Sequence, residues 1–281
     1  MIRHMNIAWI GYGVMGQPMA NHLSHHHTIT VFNRNPLKVI NLPTNMKKAS
    51  TLEACITHQD MIMTMLGTPN DVEQVYETIL LHAKPGTILI DLTTSSPTLA
   101  KDLSLKFKNK NVSILDAPVT GGLKGAQEQN LTIMVGGDEA TFIKSKAILD
   151  LLGKRVLYVG EAGQGQFAKL TNQLAIAGQL AGLAESLAFA KSQQLPLSQV
   201  LAILSSGAAQ SYSVSAYGEK MLKQDWQATF YLKHFLKDLR LAINHATTPV
   251  PIAIAVETLL TTLVKEYGEK GVQSIIQAYL Q

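Results

Sequence analysis

Three glycines directly after an apolar run form a segment whose residue types and spacing suit phosphate binding. Gly11, Gly13 and Gly16 follow Ile7-Ala8-Trp9-Ile10 with the spacing G-x-G-x-x-G. In such a turn the first glycine allows a tight bend and the second lets phosphates approach the backbone. The third lets the following helix pack close to the strand. The sequence therefore predicts a pyrophosphate-binding turn formed by Gly11, Tyr12, Gly13, Val14, Met15 and Gly16.

The residues after the second predicted strand bear on which dinucleotide would bind. Ile29-Thr30-Val31-Phe32 is short, β-branched and aromatic, and Asn33-Arg34-Asn35 follows it. A carboxylate at this place would accept hydrogen bonds from a ribose 2′-hydroxyl and favour NAD. Arg34 can instead pair with a 2′-phosphate and stack on adenine. We therefore expect Asn33, Arg34 and Asn35 to favour NADP, with NAD as a possible cofactor and an ordinary exposed loop arginine as the simpler alternative.

Lys169 and Asn172 have the residue types and spacing for proton transfer. They lie three residues apart in a predicted helix that opens after Gly165, so their side chains share one face. Reduction of an aldehyde by hydride leaves an alkoxide that needs a proton, and oxidation of the alcohol needs that proton removed. Burial and the positive end of the helix would both lower the pKa of Lys169 toward neutrality. Lys169 is thus the candidate catalytic residue, unless it is an ordinary exposed helical lysine.

A second candidate anion site is Thr120-Gly121-Gly122, which follows the predicted strand Ser113-Ile114-Leu115-Asp116. Backbone amides of such a turn, together with the Thr120 hydroxyl, can hold a carboxylate by charge-assisted hydrogen bonds. Folds with parallel sheets also place their ligands at the carboxyl ends of the strands. A glycine turn with a purely conformational purpose is the alternative.

Four stretches in order along the chain resemble the β-hydroxyacid dehydrogenase family, which includes 3-hydroxyisobutyrate dehydrogenase, tartronate semialdehyde reductase and the glyoxylate/succinic semialdehyde reductases. These stretches are the glycine turn, Asp116–Gly122, Gly165–Asn172 and Lys237-Asp238-Leu239. The resemblance spans nearly the whole chain. It implies a 6-phosphogluconate dehydrogenase-like fold, a nicotinamide cofactor, a small carboxylate-bearing aldehyde or hydroxy acid as substrate, and a homo-oligomer, either dimer or tetramer.

The resemblance also implies roles for individual residues. Lys169 would be the family's catalytic lysine and Asn172 its neighbouring asparagine, while Gln173 departs from the second asparagine that is common there. Thr120-Gly121-Gly122 would hold the substrate carboxylate. The other implied positions are Thr94 and Lys237 beside the nicotinamide, Leu66 and Pro69 along the adenosine pocket, and Phe230 and Asp238 at the substrate.

Strand and helix patterns predict two domains that would position these residues. Up to about residue 160, short apolar strands alternate with helical stretches, which indicates a parallel sheet covered on both faces. A long helical run then extends from Gly163 to about Gln194, and no clear strand follows. The fold class is therefore expected to be α/β, with an NADP-binding Rossmann domain over residues 1–161. An all-helical substrate and dimerisation domain would occupy residues 162–281.

Composition excludes several classes of protein. Hydrophobic residues at 46% and charged residues at 16% are typical of a globular chain. The net charge of +4 comes without a dense basic cluster, so the charge suits anionic ligands and gives no indication of nucleic-acid binding. A single cysteine, Cys55, and no signal-peptide pattern suggest a cytoplasmic location. We expect no membrane span and no metal site, and His25-His26-His27 is expected to form a solvated turn.

These observations favour an NADP-dependent reductase of a small aldehyde acid, such as glyoxylate or succinic semialdehyde. NADPH pools usually favour reduction, and the segments Phe230–His234 and Lys237–Ala242 look closer to that branch of the family. An NAD-dependent 3-hydroxyisobutyrate dehydrogenase is the second hypothesis. Imine reductases, another related branch, generally lack the lysine that corresponds to Lys169. A non-enzymatic NADP-binding sensor or assembly module is the third hypothesis, although such a module has no need of Lys169 beside Asn172.

Overall fold

A computed structural model describes residues 3–280 of the chain. The chain divides after Lys169 into two units, Met1–Lys169 and Leu170–Gln281. The expected domain ranges, 1–161 and 162–281, also include residues 1, 2 and 281, which lie outside the described residues.

A nine-stranded sheet forms the centre of the N-terminal unit, counted over its described residues. Its strands are β1 Asn6–Ile10, β2 Thr28–Phe32, β3 Met46–Lys48, β4 Met61–Thr64, β5 Ile88–Asp91, β6 Ser113–Asp116, β7 Val119–Thr120, β8 Thr132–Gly137 and β9 Arg155–Gly160. The order β3-β2-β1-β4-β5-β6 is parallel throughout. Beyond it, β8 pairs antiparallel with both β6 and β7, and β9 pairs parallel with β8.

Helices cover both faces of this sheet, because the apolar strands have two buried sides. In β1, Ile7 and Trp9 belong to one apolar cluster, whereas Ala8 and Ile10 belong to another. Such continuous burial is typical of strands in a doubly wound parallel sheet. The helices of this unit are α1 Gly16–Ser24, α2 Leu52–Ile56, α3 Pro69–His82, α4 Pro97–Lys108, α5 Gly122–Gln127 and α6 Glu139–Leu149.

The C-terminal unit is helical, and its described residues contain only an isolated β-bridge between Tyr231 and Gly271. Its helices are α7 Gln164–Ser192, which begins in the N-terminal unit, α8 Leu197–Ser206, α9 Tyr212–Leu222, α10 Leu232–His245 and α11 Pro251–Tyr267, followed by the 3-10 helix Val272–Tyr279. Leu180, Phe235 and Leu260 are fully buried in its core. The expected α/β class, a Rossmann-type sheet followed by helices, is confirmed.

Three short elements, β3, α2 and β7, were absent from the sequence prediction, and the antiparallel placement of β8 was not anticipated. The solvated turn expected at His25-His26-His27 is wrong for its last residue. His25 and His26 are exposed, but His27 immediately precedes β2 and is fully buried. Its ring centroid lies 6.1 Å from that of His4 and 6.3 Å from that of His26.

Two features are absent from residues 3–280, the part of the chain that the structure describes. No group of three or more His, Cys, Asp or Glu side chains is arranged to hold a metal ion. No described helix combines the length and the apolar character needed to cross a membrane.

Candidate active site

The glycine turn between β1 and α1 has a different geometric requirement at each glycine. Gly11 has φ +99°, and a Cβ there would overlap the carbonyl oxygen of Met65. A Cβ at Gly16 would overlap the carbonyl oxygen of Gly11. Outside residues 12–14, no described atom lies within 4 Å of a Cβ built at Gly13, so the space at this residue is open. The first and third glycines therefore close the turn, and the second leaves room for a phosphate to approach.

The first turn of α1 has donors for an anion. Its N-cap residue, Met15, makes no side-chain capping bond, and the first turn contains no acidic residue. The backbone amides and the positive end of the helix dipole are therefore not neutralised by a side chain of this turn. This arrangement fits the pyrophosphate of a dinucleotide. Val14 is exposed and Met15 is half-buried at the same turn.

Tyr12 has a structural part in this turn. Its backbone N–H donates to Oδ1 of Asn33 at 2.8 Å, and its hydroxyl donates to Oδ1 of Asn21 at 2.7 Å. Its side chain is buried, so Tyr12 connects the glycine turn to the end of β2. Asn33 in turn donates from Nδ2 to the carbonyl oxygen of Asn35, whose own side chain caps the 3-10 helix Pro36–Lys38.

Arg34 is paired with a carboxylate that sequence reasoning had not considered. Its Nη1 lies 2.8 Å from Oδ1 of Asp71, in the first turn of α3. The Arg34 side chain is 86% exposed and that of Asp71 is 20% exposed. Burial would raise the pKa of the Asp71 carboxyl, but hydrogen bonds from Thr68 and Arg34 together hold this pKa below its usual value. The Asp71 carboxyl group is therefore ionised at neutral pH.

The predicted adenosine and nicotinamide positions follow two adjacent strands of the sheet. Leu66 and Pro69 are half-buried after β4, and the N–H of Leu66 donates to Oγ1 of Thr93 at 2.9 Å. Thr94, also half-buried, is the next residue after Thr93 in the segment that follows β5. The pairing of β4 with β5 thus brings these two segments to the same edge of the sheet.

Thr120, Gly121 and Gly122 form a half-buried turn between β7 and α5. Gly121 has φ +131° and Gly122 has φ +64°, so both occupy backbone regions that other residues rarely adopt. Gly121, as N-cap of α5, makes no side-chain capping bond. The positive φ values explain the glycines on conformational grounds, and the turn also has the amides and hydroxyl that carboxylate binding would need.

A buried network fixes the first turn of α7, the helix that contains Lys169. The N–H groups of Gly163 and Gln166 each donate at 2.8 Å to the carboxylate of Asp116, at the end of β6. The Gln166 side chain accepts from the N–H of Ser95 and donates to the carbonyl oxygen of Thr93, both at 2.8 Å. The start of α7 is thereby attached to the ends of β5 and β6. Sequence reasoning missed Asp116 and Gln166 as positioning residues, although both lie inside motifs that it quoted.

The Asp116 carboxyl group in this network has a raised pKa. Burial raises the pKa of Asp116 to about 6, although the N–H donors of Gly163 and Gln166 oppose that shift. The charge of nearby Asp91 raises the pKa further. Gly165 allows the close approach, because a Cβ there would overlap the carbonyl oxygen of Asp116 and lie 2.6 Å from that of Met134.

Lys169 is the last residue of the N-terminal unit and lies one turn beyond Gln166 on α7. Its exposed fraction is 7%, so it differs from the ordinary exposed lysine that was the alternative. Burial of an amine on a helix whose start is fixed suits a group that must hold one position.

The helical unit contains the other predicted side chains. Asp238 is 2% exposed, and its Oδ2 accepts from Nε2 of Gln173 at 2.7 Å. Nζ of Lys237 lies 3.0 Å from Oδ1 of the same carboxylate. Asn172 is half-buried, and its Oδ1 accepts no hydrogen bond from the described residues. Phe230 is half-buried beside Phe235, with ring centroids 5.8 Å apart.

Gln173 is the hydrogen-bond partner of Asp238, and the sequence alone did not identify this contact. Its departure from the family's asparagine was visible, but its partner, Asp238, lies 65 residues away. The longer glutamine side chain gives a buried carboxylate a donor in this chain. Asp238 is consequently a buried carboxylate with a hydrogen-bond donor from α7.

Comparison with known proteins extends these observations. Residues 6–160 match a family model described as the NAD binding domain of 6-phosphogluconate dehydrogenase. Residues 163–279 match one described as NAD-binding of NADP-dependent 3-hydroxyisobutyrate dehydrogenase. The chain belongs to the β-hydroxyacid dehydrogenase family.

Individual relatives of this β-hydroxyacid dehydrogenase are similar along most of their length. Probable 3-hydroxyisobutyrate dehydrogenase-like 1, mitochondrial, of Arabidopsis thaliana is 37% identical over 284 residues, covering 97% of this chain and 84% of that protein. The 2-hydroxy-3-oxopropionate reductase of Escherichia coli is 33% identical over 246 residues, covering 86% and 84%. A solved structure of Psf3 in complex with NADP+ and 2-OPP has a TM-score of 0.90 at 25% identity, covering 98% of this chain and 100% of that one.

Membership of the β-hydroxyacid dehydrogenases makes the protein an NAD(P)-dependent oxidoreductase of the hydroxyacid dehydrogenase class. The hypothesis of a non-enzymatic sensor or assembly module is therefore set aside. The open space at Gly13 and the uncapped first turn of α1 fit the pyrophosphate of NAD(P).

Proposed function

We propose that this β-hydroxyacid dehydrogenase is an NADP-dependent reductase that converts a small aldehyde acid, of the glyoxylate or succinic semialdehyde type, to its hydroxy acid. The observation that carries the proposal is the buried Lys169, which is 7% exposed on a helix attached to the sheet through Asp116 and Gln166. A buried, positioned amine is what proton transfer to a carbonyl oxygen needs.

The dinucleotide would be held in the N-terminal unit. The amides at Gly13, Val14 and the first turn of α1 would bind the pyrophosphate. Asn33, Arg34 and Asn35 would surround the 2′-phosphate, and Leu66 and Pro69 would line the adenosine. Thr94 and Lys237 would contact the nicotinamide end. When bound in its reduced form, this cofactor supplies a hydride to the substrate carbonyl.

The chain's own residues would perform the rest of the reaction. The Thr120 hydroxyl and the amides of Gly121 and Gly122 would hold the substrate carboxylate. Lys169 would donate a proton from Nζ to the oxygen that becomes the hydroxyl, and it would remove that proton in the reverse direction. Asn172, with a buried Oδ1 that accepts no hydrogen bond from the described residues, would orient the substrate hydroxyl or the lysine amine. Phe230 and Asp238 would border the substrate.

Two relatives support the substrate class and the cofactor. The relative in Escherichia coli is named for the reduction of 2-hydroxy-3-oxopropionate, itself an aldehyde acid. The similar solved structure is a complex with NADP+. A cytoplasmic homo-oligomer, dimer or tetramer, with residues 1–161 as cofactor domain and 162–281 as substrate and dimerisation domain, completes the proposal.

A second candidate is an NAD-dependent 3-hydroxyisobutyrate dehydrogenase. The name of the Arabidopsis relative favours it, and so does the carboxylate of Asp71, which is close to Arg34 and would disfavour a 2′-phosphate. This candidate uses the same Lys169 chemistry in the oxidative direction.

A panel of substrates with both cofactors tests the proposal. Glyoxylate, succinic semialdehyde and tartronate semialdehyde would be assayed with NADPH and NADH, and 3-hydroxyisobutyrate and the matching hydroxy acids with NADP and NAD. We expect the highest kcat/KM for an aldehyde acid with NADPH. A higher kcat/KM for 3-hydroxyisobutyrate with NAD would reject the proposal in favour of the second candidate.

A further inference from the structure

Asp71 is held in one orientation at the start of α3. Its backbone N–H donates to Oγ1 of Thr68 at 3.2 Å, and the same hydroxyl donates to its Oδ2 at 2.7 Å. The other carboxylate oxygen, Oδ1, accepts from Nη1 of Arg34 at 2.8 Å. The carboxylate is therefore fixed by its own helix turn, and Arg34 is the exposed partner that reaches it.

Arg34 is at the same time the predicted ligand of the 2′-phosphate, which is the only group that distinguishes NADP from NAD. A phosphate prefers both arms of a guanidinium, in the bidentate arrangement. One arm of Arg34 is already bound to Asp71, and the charge of the pair sums to zero. A 2′-phosphate would thus compete with a fixed carboxylate for the same cation and would meet that carboxylate's negative charge.

We propose that Asp71 is a specificity-determining residue that restrains the preference for a 2′-phosphorylated dinucleotide by holding Arg34 in an ion pair. The inference rests on the proposed function, because it takes Arg34 as the 2′-phosphate ligand. With NAD bound, Arg34 stays paired with Asp71 and keeps its counter-charge. With NADP bound, the phosphate shares or displaces that contact, so the enzyme accepts both cofactors with a moderate preference for NADP.

Asp71→Asn separates the charge of the residue from its position. The amide oxygen can still accept from Arg34, and the N–H of residue 71 can still donate to Thr68, so the first turn of α3 keeps its cap. Arg34→Ala removes the contested cation. Asp150→Asn is the matched control, because Asp150 is another carboxylate of the N-terminal unit in an exposed ion pair, 2.8 Å from Lys146.

The experiment measures dissociation constants of NADPH and NADH by titration calorimetry, without substrate, for these variants and for the double variant Arg34→Ala/Asp71→Asn. We expect Asp71→Asn to raise the ratio of the NADH to the NADPH dissociation constant by about three- to fivefold, the upper end of the range for releasing an exposed ion pair. This rise should come mainly from tighter NADPH binding. When Arg34→Ala is already present, the same substitution should change the ratio less than about twofold, since it would then have no cation to release. Asp150→Asn should leave the ratio unchanged.

Every other outcome rejects either the inference alone or the inference together with the NADP assignment. If Arg34→Ala lowers the ratio but Asp71→Asn leaves it unchanged or lowers it, the inference fails while the NADP assignment stands. An equal effect of Asp71→Asn with and without Arg34 also rejects competition for that arginine. If Arg34→Ala leaves the wild-type ratio unchanged, Arg34 does not bind the 2′-phosphate, and the cofactor part of the proposed function fails together with the inference.

Discussion

Asp116 is a carboxyl group that is 4% exposed and attaches α7 to the sheet. Two backbone N–H donors stabilise its ionised form, yet burial outweighs them and raises its pKa from 3.8 to about 6. A raised pKa means that the folded protein binds the proton more tightly than the unfolded chain does. The stability that this group contributes is therefore complete below pH 3.8 and decreases as the pH rises through about 6.

Asp116→Asn should remove this pH dependence, because an amide does not titrate. The free energy of unfolding of the wild type, minus that of the variant, should fall by about 2 kcal/mol as the pH rises from 4 to 7. Urea unfolding at a series of pH values measures this difference, in which the titration of groups that do not interact with Asp116 cancels. A difference that is flat or rises with pH would contradict the assignment.

Gln173 gives the buried carboxylate of Asp238 a hydrogen bond. Gln173→Leu should lower the free energy of unfolding by about 2 kcal/mol, because a buried charge loses a donor. Gln179→Leu is the control, since Gln179 lies on the same helix but is exposed. Its effect should stay within about 0.5 kcal/mol. Equal effects of the two substitutions in urea unfolding would show that Gln173 has no special contact.

The first turn of α7 is the element on which Lys169 depends, and a glycine sets its approach to the sheet. A Cβ at Gly165 would meet backbone atoms of Asp116 and Met134, which cannot rotate away. Gly165→Ala should therefore shift the helix, with a loss of about 1–3 kcal/mol in unfolding free energy and a lower kcat.

Gly182→Ala tests the same substitution in the same helix where space is open. Apart from its chain neighbours and the nearby backbone of α7 itself, no described atom lies within 4 Å of a Cβ built at Gly182. Alanine should be neutral there or stabilise the protein by up to about 1 kcal/mol, because it favours the helix. The kcat and the urea unfolding of Gly165→Ala and Gly182→Ala test these two predictions. If Gly165→Ala changes neither the kcat nor the free energy of unfolding, the close packing of α7 on β6 is contradicted.

Most elements are predictable from local sequence patterns, because the spacing of apolar residues within a segment indicates whether it forms a strand or a helix. The sequence predicts Ser113–Asp116 with its observed bounds, and the predicted segments Ile7–Ile10 and Ile29–Phe32 each begin one residue later than β1 and β2. The three-residue β3 and two-residue β7 are too short for any periodicity to appear. The direction of β8 depends on which strands it pairs with, and its own sequence does not specify that.

The site was predictable where a motif is contiguous and less so where partners are distant. The glycine turn, Thr120-Gly121-Gly122 and Lys169 could be located from the sequence because each lies in one short segment. The pairing of Arg34 with Asp71 joins residues 37 positions apart. That contact depends on the adjacency of β2, β1 and β4 in the sheet, a property of the fold that no single segment contains.

Over the molecule as a whole, the predicted functions are distributed between the two units. The N-terminal unit contains the glycine turn, Arg34 and the buried Lys169. The helical unit contains Asn172 and Asp238. Cofactor binding should therefore stabilise the N-terminal unit directly. At a concentration of 100 times its dissociation constant, a ligand raises the unfolding free energy by about 2.7 kcal/mol.

Gly13→Ala should abolish much of that stabilisation without harming the protein alone. The space at Gly13 is open, so a methyl group should leave the Tm of the cofactor-free protein nearly unchanged. The same methyl group would obstruct the approach of a phosphate to the backbone. Thermal unfolding with and without NADPH should show a smaller cofactor-induced rise in Tm than in the wild type. An unchanged rise would place the pyrophosphate elsewhere.

The most direct test of the central claim is the turnover of Lys169→Ala with NADPH and the best aldehyde acid of the substrate panel. If Lys169 donates the proton, kcat should fall by at least about 100-fold, since general acid catalysis contributes about 10²–10⁴-fold. The dissociation constant of NADPH, measured on the same variant, should stay within about threefold of the wild type. A variant that binds NADPH normally and keeps more than about a hundredth of wild-type turnover would contradict proton transfer by Lys169.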